Sequence, residues 1–357
     1  MPPAADPPAD NPYVEAPDTD FQPVDALDEG TAETQAEQLR EAIRYHDYRY
    51  YVEADPVVAD RTYDALFSRL EALEDAFDLA TPDSPTRRVG GAPVDALDTV
   101  EHVRPMLSID SSGEEDEVRE FDERVRRTLA NAGWDGEIAY FCEPKFDGLS
   151  VEFVYEDGRF ERAATRGDGE EGDDVTAQVE TIAAVPMRLR GDPPETLVLR
   201  GEVYMPRAAF QAYNRERIED GKDPFANPRN AAAGTVRQLD PSVVAERPLS
   251  AYFFEVLESS REFETLSGLY EQLPSWGLRV TERAELVGDV EAAIDYRDRL
   301  LETRDDLDFE IDGAVITVDD RSAWDVLGST ARAPRWTVAY KFPPRAEETT
   351  VRDVVVQ

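Results

Sequence analysis

Apolar residues recur at helical spacing in the first part of the chain and at strand spacing in the rest. Between residues 37 and 97, two stretches each place apolar side chains on one helical face, with Pro56 between them. Asp60 stands where a helix N-cap is expected, so the second helix is predicted to start there. The pattern therefore predicts a helical hairpin. Its apolar faces comprise Leu39, Ile43 and His46 in the first helix, and Tyr63, Leu66, Phe67, Leu70 and Leu73 in the second.

The strand-like pattern begins near residue 98 and is clearest beside the dipeptide Asp157-Gly158, which is typical of a two-residue hairpin turn. This turn implies a register in which Arg166 pairs with Leu149, and Asp168 with Asp147. The alternating residues that form the buried face of the first strand are Leu149, Val151, Phe153 and Tyr155. We expect four charged residues to cluster at the open end of the hairpin: Lys145, Asp147, Arg166 and Asp168.

Charged residues recur inside three further strand-like segments. Glu202 lies in "LVLRGEVYMP", Asp312 in "DFEIDGAVITV" and Lys341 in "RWTVAYKF". Each residue alone would fit a solvated strand position, but together they indicate a cleft lined with charge. The segment "FANPRNAAAGTVRQLD" predicts a capped helix start, near which Arg229 and Arg237 could bind an anion or simply face solvent.

Composition limits the classes of protein that remain. A length of 357 residues suggests two or three domains, and the single cysteine, Cys142, excludes an internal disulfide and a CxxC zinc site. No apolar run is long enough to span a membrane and no signal peptide is evident. We therefore expect a cytoplasmic protein that acts as a monomer without a membrane partner. Residues 1–36 are rich in Pro, Ala and Asp and contain no Lys or Arg, which predicts a disordered acidic tail.

The net charge of −40, with a pI near 4.3, supports two interpretations. Taken alone it argues against nucleic-acid binding, because phosphate contacts rest on basic residues. An acidic excess with little lysine also suits a protein that works in concentrated salt, where the Debye length falls to about 3 Å at 1 M and self-repulsion is screened. The charge can therefore reflect the solvent and not the ligand.

Lysine is rare in this chain. Among 38 basic residues, only Lys145, Lys222 and Lys341 are lysines. Arginine keeps its proton in proteins, whereas a lysine amine can lose its proton and act as a nucleophile. Chance would also place three lysines somewhere, so rarity alone leaves both explanations open.

Several motifs in order resemble one enzyme family. Lys145-Phe146-Asp147-Gly148 resembles the Lys-x-Asp-Gly motif of covalent nucleotidyltransferases, the DNA ligases and mRNA capping enzymes. The later segments "TRGDG", "RGEVYMP", "FANPRNAAAGTVRQLD", "FEIDGAV" and "RWTVAYKFP" resemble the NAD-dependent DNA ligases, and "YRYYVEADPVVADRTYD" resembles their N-terminal domain. The resemblance implies an α+β fold: a small helical NMN-binding domain at 37–97, then a mainly antiparallel-sheet, ATP-grasp-like nucleotidyltransferase core, the adenylation domain, at 98–350.

The resemblance also implies a reaction. Lys145 would attack the α-phosphate of NAD, form lysyl-AMP and release nicotinamide mononucleotide (NMN), while Arg166 and Lys341 offset charge on the phosphate. In the full family cycle, AMP then passes to the 5′-phosphate of a nick in double-stranded DNA during replication and repair, and the 3′-hydroxyl displaces it. Asp147, Glu202 and Asp312 match catalytic acids, and the last two would also bind Mg²⁺.

Further positions match the nucleotide contacts of the family. Ser108, Ile109, Glu143 and Gly148 match the adenosine side, and Arg229, Arg237 and Arg304 match residues that support the nucleotide or the DNA. Tyr50, Tyr51, Asp60, Tyr63 and Asp64 match the NMN site, where aromatic rings and carboxylates suit a cationic nicotinamide. From spacing alone, core packing explains these tyrosines better than ligand stacking does, because aromatic residues at helical spacing are usually core residues.

Two departures from the family pattern change what we expect. Thr317 stands where the family usually has the lysine of "DGxVIK", which would remove a cation from the phosphate site and slow adenylylation. The family continues beyond the equivalent of Gln357 into an oligonucleotide-binding (OB) domain and further modules. We interpret residues 351–357 as the first strand of that domain, and we expect this fragment not to seal nicks by itself.

Two alternatives remain open at this point. One is a nucleotidyltransferase that uses ATP or GTP, against which the helical N-terminal part argues. The other is a non-catalytic, ligase-like binding protein, against which the intact charged motifs argue.

Overall fold

The computed structural model describes residues 7–8, 11–53, 55–81, 83–88 and 96–343. Within these residues, no helix is both long enough and apolar enough to cross a membrane. The α-helices are α1 (Glu29–Tyr51), α2 (Asp60–Phe77), α3 (Glu115–Ala132), α4 (Thr176–Glu180), α5 (Arg207–Glu219), α6 (Pro228–Val236), α7 (Pro241–Ala245), α8 (Leu266–Gln272), α9 (Val290–Thr303) and α10 (Ser322–Leu327). The strands are β1 (Thr99–Glu101), β2 (Ser111–Ser112), β3 (Tyr140–Phe146), β4 (Leu149–Glu156), β5 (Arg159–Thr165), β6 (Glu171–Asp173), β7 (Thr196–Tyr204), β8 (Ser250–Ser259), β9 (Glu285–Val287), β10 (Ile311–Val318) and β11 (Thr337–Lys341).

The predicted helical hairpin is confirmed by α1 and α2. Leu39 and Ile43 of α1 pack against Leu66 and Leu70 of α2 in one buried cluster, as the helical spacing required. The predicted start of α2 is displaced by one position, because Asp60 is its first helical residue and the preceding alanine is the N-cap. An acidic residue in the first turn still interacts favourably with the helix dipole.

The prediction of a disordered tail over 1–36 is wrong for its described C-terminal part. Helix α1 begins at Glu29, and the Asp28 side chain caps it by accepting a hydrogen bond from the backbone N–H of Thr31. Earlier in the chain, Val14 is 2% exposed, and Gln35 donates a hydrogen bond to the Tyr13 hydroxyl at 2.7 Å. The apolar residues of this segment pack onto the helical hairpin, which its Pro- and Asp-rich composition concealed. Residues 1–6 and 9–10 lie outside the described residues, as do residues 344–357 with the predicted OB strand at 351–357.

Two large sheets form the core, and they enclose the site between them. One sheet has the order β2-β11-β10-β3-β9 and the other β5-β4-β7-β8. All pairings are antiparallel except β2 with β11. The outer face of each sheet packs on its own apolar cluster, and the inner faces line a common cavity. This architecture is the α+β, mainly antiparallel core predicted from the sequence.

The hairpin between β4 and β5 corrects the predicted register. Asp157 and Gly158 both have positive φ (50° and 71°), so the predicted turn is confirmed. An irregularity between Val154 and Tyr155 then shifts the pairing by one residue. The backbone N–H of Arg166 therefore donates to the carbonyl of Ser150 at 3.0 Å, and the predicted pairing of Arg166 with Leu149 is wrong.

The predicted pairing of Asp168 with Asp147 is wrong as well. The Asp168 carboxylate accepts hydrogen bonds from the backbone N–H groups of Glu170 and Glu171, so it stabilises its own turn. The shifted register nevertheless turns Arg166 towards the inner face of the sheet, where it joins the cavity.

Candidate active site around Lys145

A cavity of about 370 Å³ lies between the two sheets and brings together most of the charged residues singled out in the sequence. Strands β3, β10 and β11 supply one wall, and β4, β7 and β8 supply the other. The predicted residues that line this cavity are Ser108, Ile109, Glu143, Lys145, Arg166, Glu202, Arg229, Asp312 and Lys341.

Two lysines converge on one carboxylate because of the strand register. Gly313 of β10 lies opposite Lys145 of β3 on one side and Lys341 of β11 on the other. The Lys145 Nζ atom lies 3.1 Å from Asp312 Oδ1, and the Lys341 Nζ atom lies 3.2 Å from Asp312 Oδ2. A side chain at Gly313 would not fit, since its Cβ would lie 2.4 Å from the Tyr340 carbonyl oxygen. Asp312 thus holds two amines together at the cavity, where a substrate phosphate could take over as their partner.

Arg166 supplies a third cation at the cavity. Its Nη2 donates to the Ser108 hydroxyl at 2.8 Å, and no ion pair joins it to another described residue. Its Nε atom is buried without a hydrogen-bond partner among the described residues. Burial, with a contribution from the nearby Arg200 guanidinium, lowers the pKa of Arg166, but arginine remains protonated in proteins. A partly buried guanidinium with one unsatisfied donor, Nε, fits an anionic ligand in this cavity.

Glu202 is a buried carboxyl on the wall opposite Lys145. Burial raises its pKa to about 7, against the lowering effect of Arg200 and of the Gly148 N–H, which donates to Glu202 Oε1 at 3.0 Å. Gly148 must be glycine at this close approach, because an added Cβ would lie 2.5 Å from the Val203 carbonyl oxygen. The Lys-x-Asp-Gly motif is therefore fixed to the opposite sheet directly after the lysine.

Asp147, the acid of the same motif, pairs with a helix start. Its Oδ1 lies 2.9 Å from Nη1 of Arg229, the second residue of α6. The predicted cap of this helix is confirmed, since the Asn227 side chain accepts a hydrogen bond from the Asn230 N–H at 2.8 Å. Capping places Arg229 at the cavity wall and not on a purely solvated face.

Glu143 lies on β3 two residues before Lys145, and its surroundings differ from those of the two lysines. Its carboxyl is buried, it accepts a hydrogen bond from the Tyr270 hydroxyl, and it lies opposite Val315. Burial, and secondarily the charge of Glu255, raises the pKa of Glu143 well above its usual range. This end of the cavity therefore favours a neutral, hydrogen-bonding ligand group over a phosphate.

Thr317 belongs to the Glu143 end of the cavity. It is 5% exposed, its hydroxyl bonds to that of Thr337 at 2.8 Å, and it lies two residues beyond Val315 on β10. It is four residues from Gly313, or about 13 Å along the strand. The position where the family has a lysine is therefore remote from the Lys145–Asp312–Lys341 group, which argues against the expected role of that lysine at the phosphate.

Two predicted arginines do not line this cavity. Arg237 forms an ion pair with Asp173 at 3.1 Å, and the Arg304 guanidinium lies 5.6 Å from the ring centroid of Phe342. Both have structural partners that their sequence motifs did not reveal.

The residues predicted to bind NMN lie apart from Lys145. Tyr50 and Tyr51 stack edge-to-face at 4.8 Å and line a separate cavity of about 950 Å³, between the end of α1 and the core. Tyr50 is 55% exposed, which excludes the alternative that it is a core aromatic. Tyr63 donates a hydrogen bond to Asp47 at 2.7 Å, and Asp60 and Asp64 are the first and fifth residues of α2.

The structure adds residues that the sequence argument missed. Arg200 is 7% exposed and donates to the Ser150 hydroxyl at 2.8 Å and to the Leu107 carbonyl at 3.0 Å, which fixes the strand pair to the segment before Ser108. Its even-numbered alternation with Glu202 on β7 was a signal that could have identified it. Trp324 and Trp336 stack in parallel, with ring centroids 5.0 Å apart, at the Thr317 end of the cavity.

The described residues contain no group of three or more His, Cys, Asp or Glu side chains that could hold a metal ion. The predicted Mg²⁺ ligands, Glu202 and Asp312, lie on opposite walls of the cavity. Magnesium in nucleotide sites is usually bound by one or two carboxylates, with substrate phosphates and water completing the shell. The residues present fit that mode of binding and do not fit a cage made of protein ligands alone.

Comparison with known proteins gives a consistent family match. The family model described as "NAD-dependent DNA ligase adenylation domain" matches residues 94–345, and the model described as "DNA ligase-like, N-terminal NAD+-binding domain" matches residues 29–90. A protein named DNA ligase from Haloarcula marismortui is 66% identical over 98% of this chain and 50% of its own length. The corresponding values are 61%, 97% and 49% for Haloferax volcanii, and 50%, 96% and 49% for Salinibacter ruber. The chain thus spans about half the length of the relatives it matches.

Proposed function

The chain belongs to the family of NAD-dependent DNA ligases, and on this premise we propose that it carries out the first step of ligation, the transfer of AMP from NAD to Lys145. The observation that carries this proposal is the convergence of Lys145, Lys341, Asp312 and Arg166 on one cavity between the two sheets. The neutral Lys145 amine attacks the α-phosphorus of NAD. A P–N bond forms, the P–O bond to the NMN phosphate breaks, NMN leaves, and the proton of the amine passes to solvent.

The side chains around Lys145 have separable tasks in this reaction. Asp312 holds the amine at 3.1 Å and aims it into the cavity. Lys341 and Arg166 stabilise the negative charge that develops on the phosphate oxygens. As the phosphate binds, it replaces Asp312 as the partner of the two amines. The adenosine end of NAD then lies towards Ser108, Ile109 and Glu143, where the raised pKa of Glu143 favours a neutral hydrogen-bonding group.

The NMN half requires movement of the helical part. Tyr50, Tyr51, Asp60, Tyr63 and Asp64 would bind the cationic nicotinamide and its ribose phosphate. These residues do not line the Lys145 cavity in this conformation. We propose that residues 37–97 act as a domain that closes over residues 98–350 when NAD binds, which excludes water from the reacting atoms.

We propose that the complete reaction also requires Mg²⁺ and nicked double-stranded DNA. Glu202 and Asp312 would hold Mg²⁺, which would neutralise phosphate charge in the cavity. The AMP would pass on to the 5′-phosphate of nicked double-stranded DNA. We propose that the chain works as a monomer in the cytoplasm and in concentrated salt, which agrees with its charge of −40 and with relatives from halophilic archaea.

Intact-protein mass spectrometry tests this proposal. After incubation with NAD and Mg²⁺ in molar KCl, the wild-type chain should gain the mass of one AMP. The Lys145→Arg variant, which keeps the charge, should gain nothing. Lys222→Arg is the matched control, because Lys222 is exposed and pairs only with Asp220 among the described residues.

Two outcomes would favour the alternatives. Labelling by ATP but not by NAD would identify an ATP-using nucleotidyltransferase. No AMP in any condition would favour a non-catalytic binding protein. The loss of the family lysine at Thr317 would favour that second alternative only if it weakened the phosphate site, and Thr317 lies far along β10 from the phosphate-binding end of the cavity.

A further inference from the structure

A second cavity, of about 510 Å³, lies between α3 and the loop that leads into β11. Its floor is apolar and includes Phe121 and Val338. Three of its lining residues are arginines, Arg124, Arg127 and Arg335, and only one, Asp110, is acidic. In a chain with 78 acidic and 38 basic residues, this excess of positive charge at one place needs an explanation.

The positive charge extends along both segments that form this cavity. Neither the end of α3, residues 124–132, nor the loop at residues 328–335 contains an Asp or Glu. Arg124, Arg127 and Arg335 are exposed, and none of them has an ion pair with a described residue. Arg126 points to a different partner, since it pairs with Asp122 at 2.8 Å. Three unpaired guanidinium groups around one concave surface form a site for an anion with several charges.

This cavity adjoins the Lys145 cavity. Pro334 and Thr337 line both of them, so the loop at residues 328–335 is the wall between the two. The carbonyl of Arg332 in that loop accepts a hydrogen bond from the Ser108 N–H at 2.9 Å, and the Ser108 hydroxyl accepts one from Arg166 at 2.8 Å. Thr337 pairs with Thr317 on β10, so an anion bound at the arginines would flank the Thr317 end of the Lys145 cavity, about 13 Å along the strand from Lys341, and the Ser108 contacts connect this flank to Arg166.

We infer that Arg124, Arg127 and Arg335 bind backbone phosphates of the double-stranded DNA that receives AMP from Lys145; this inference rests on the proposed function. The acceptor must reach the mouth of the Lys145 cavity, and its neighbouring phosphates then need cations at the flank. Arginine side chains provide such contacts without reading the base sequence. An acidic chain can approach a polyanion only where its own charge is locally reversed, and this surface is such a place.

Fluorescence anisotropy with a labelled nicked duplex tests the inference. The wild-type chain should bind, with log Kobs falling linearly as log[KCl] rises. The triple variant Arg124→Gln/Arg127→Gln/Arg335→Gln should bind at least about tenfold more weakly and should reduce the slope by about 3, because each lost phosphate contact removes about 0.9. Arg159→Gln is the matched control, since Arg159 is also exposed and unpaired among the described residues but lies at the turn end of its hairpin. Replacing the three arginines with lysine should restore most of the binding.

A parallel measurement separates this inference from the proposed function. AMP uptake from NAD, followed by mass spectrometry on the same samples, reports whether the fold and the Lys145 site are intact. If AMP uptake persists but the triple variant binds the duplex as tightly as Arg159→Gln, the inference is wrong and the proposed function stands. No duplex binding by the wild-type chain at any salt concentration would also overturn it. If inorganic phosphate or NMN, and not the duplex, binds in an arginine-dependent way, the site serves a small anion.

Discussion

Replacing Thr317 with lysine tests whether position 317 acts on the phosphate end or on the Glu143 end of the Lys145 cavity. Thr317 is almost fully buried beside Thr337, about 13 Å along β10 from Gly313, where the two lysines meet. Glu143 lies opposite Val315 and is thus a diagonal cross-strand neighbour of position 317, where a new amine could pair with it. The structure therefore predicts that Thr317→Lys acts on Glu143 and not on the phosphate, in contrast to the faster adenylylation expected from the sequence.

The expected changes in stability and in adenylylation rate follow from the burial of position 317 and from its distance to the phosphate. Losing the hydroxyl pair leaves the Thr337 oxygen without its partner, at a cost of about 1–3 kcal/mol, and burying an ammonium costs several kcal/mol. An ion pair with Glu143 at about 4 Å and an effective dielectric constant of about 20 returns about 4 kcal/mol. The net effect on the free energy of unfolding should be a loss of about 1–3 kcal/mol. At about 10 Å from the reacting phosphate, the same charge contributes less than about 2 kcal/mol before screening, and molar salt removes most of that.

Urea unfolding and single-turnover adenylylation in molar KCl measure these two effects separately. Thr317→Lys should destabilise the chain modestly, lower the pKa of Glu143 and change the adenylylation rate less than about tenfold. Thr317→Met, similar in length but neutral, separates shape from charge. In the Glu143→Gln background, Thr317→Lys should cost at least about 3 kcal/mol, because the buried amine then has no carboxylate. An acceleration well above tenfold, or the same cost in both backgrounds, would refute this reasoning.

The remaining predictions concern the lysine motif, a buried acid and the helical part. Gly148→Ala should destabilise the chain by about 1–3 kcal/mol in urea unfolding and abolish AMP uptake, since its Cβ would meet the Val203 carbonyl. In the control Gly113→Ala, the new Cβ would have nothing within 4 Å, so the free energy of unfolding should change by less than about 0.5 kcal/mol. Equal losses of stability in the two variants would contradict the packing argument. Because burial raises the pKa of Glu202 to about 7 from an unfolded value of 4.5, the folded chain binds more protons in this interval and loses stability as pH rises through it. Glu202→Gln should remove about 3 kcal/mol of that pH dependence, and an unchanged slope of unfolding free energy against pH would show that Glu202 does not titrate there. Tyr50→Ala should lose both reaction with NAD and the NMN-driven release of AMP from a pre-formed adduct; loss of the first alone would mean that NMN binds elsewhere.

Local spacing predicted most of the reaction site because a strand register places side chains regularly. Charged residues inside strand-like segments predicted that Lys145 and Lys341 line one cleft, and the structure shows them on either side of β10. The pairing of Arg166 could not be predicted, since one extra residue in β5, Glu161, shifts every pair beyond it. Asp312 was recognised as an acid in a strand, but its contact with both amines depends on a glycine neighbour that lets three strands approach closely.

Other features depended on contacts between distant segments, which a single sequence does not encode locally. The buried Val14 and the capped start of α1 lie in a segment whose composition is typical of disorder. Arg200 was overlooked because a buried arginine is uncommon, yet it connects β4, β7 and the segment before Ser108. Arg237 matched a nucleotide-binding position by its order along the chain, but its guanidinium forms an ion pair with Asp173.

The reaction that we propose joins the Lys145 amine covalently to AMP. The most direct measurement is peptide mapping by tandem mass spectrometry after reaction with NAD in molar KCl, together with quantification of released NMN. We expect one AMP on the peptide that contains Lys145, bonded to that side chain, with one NMN released per adduct. An adduct on another residue, or NMN release without any adduct at Lys145, would contradict it.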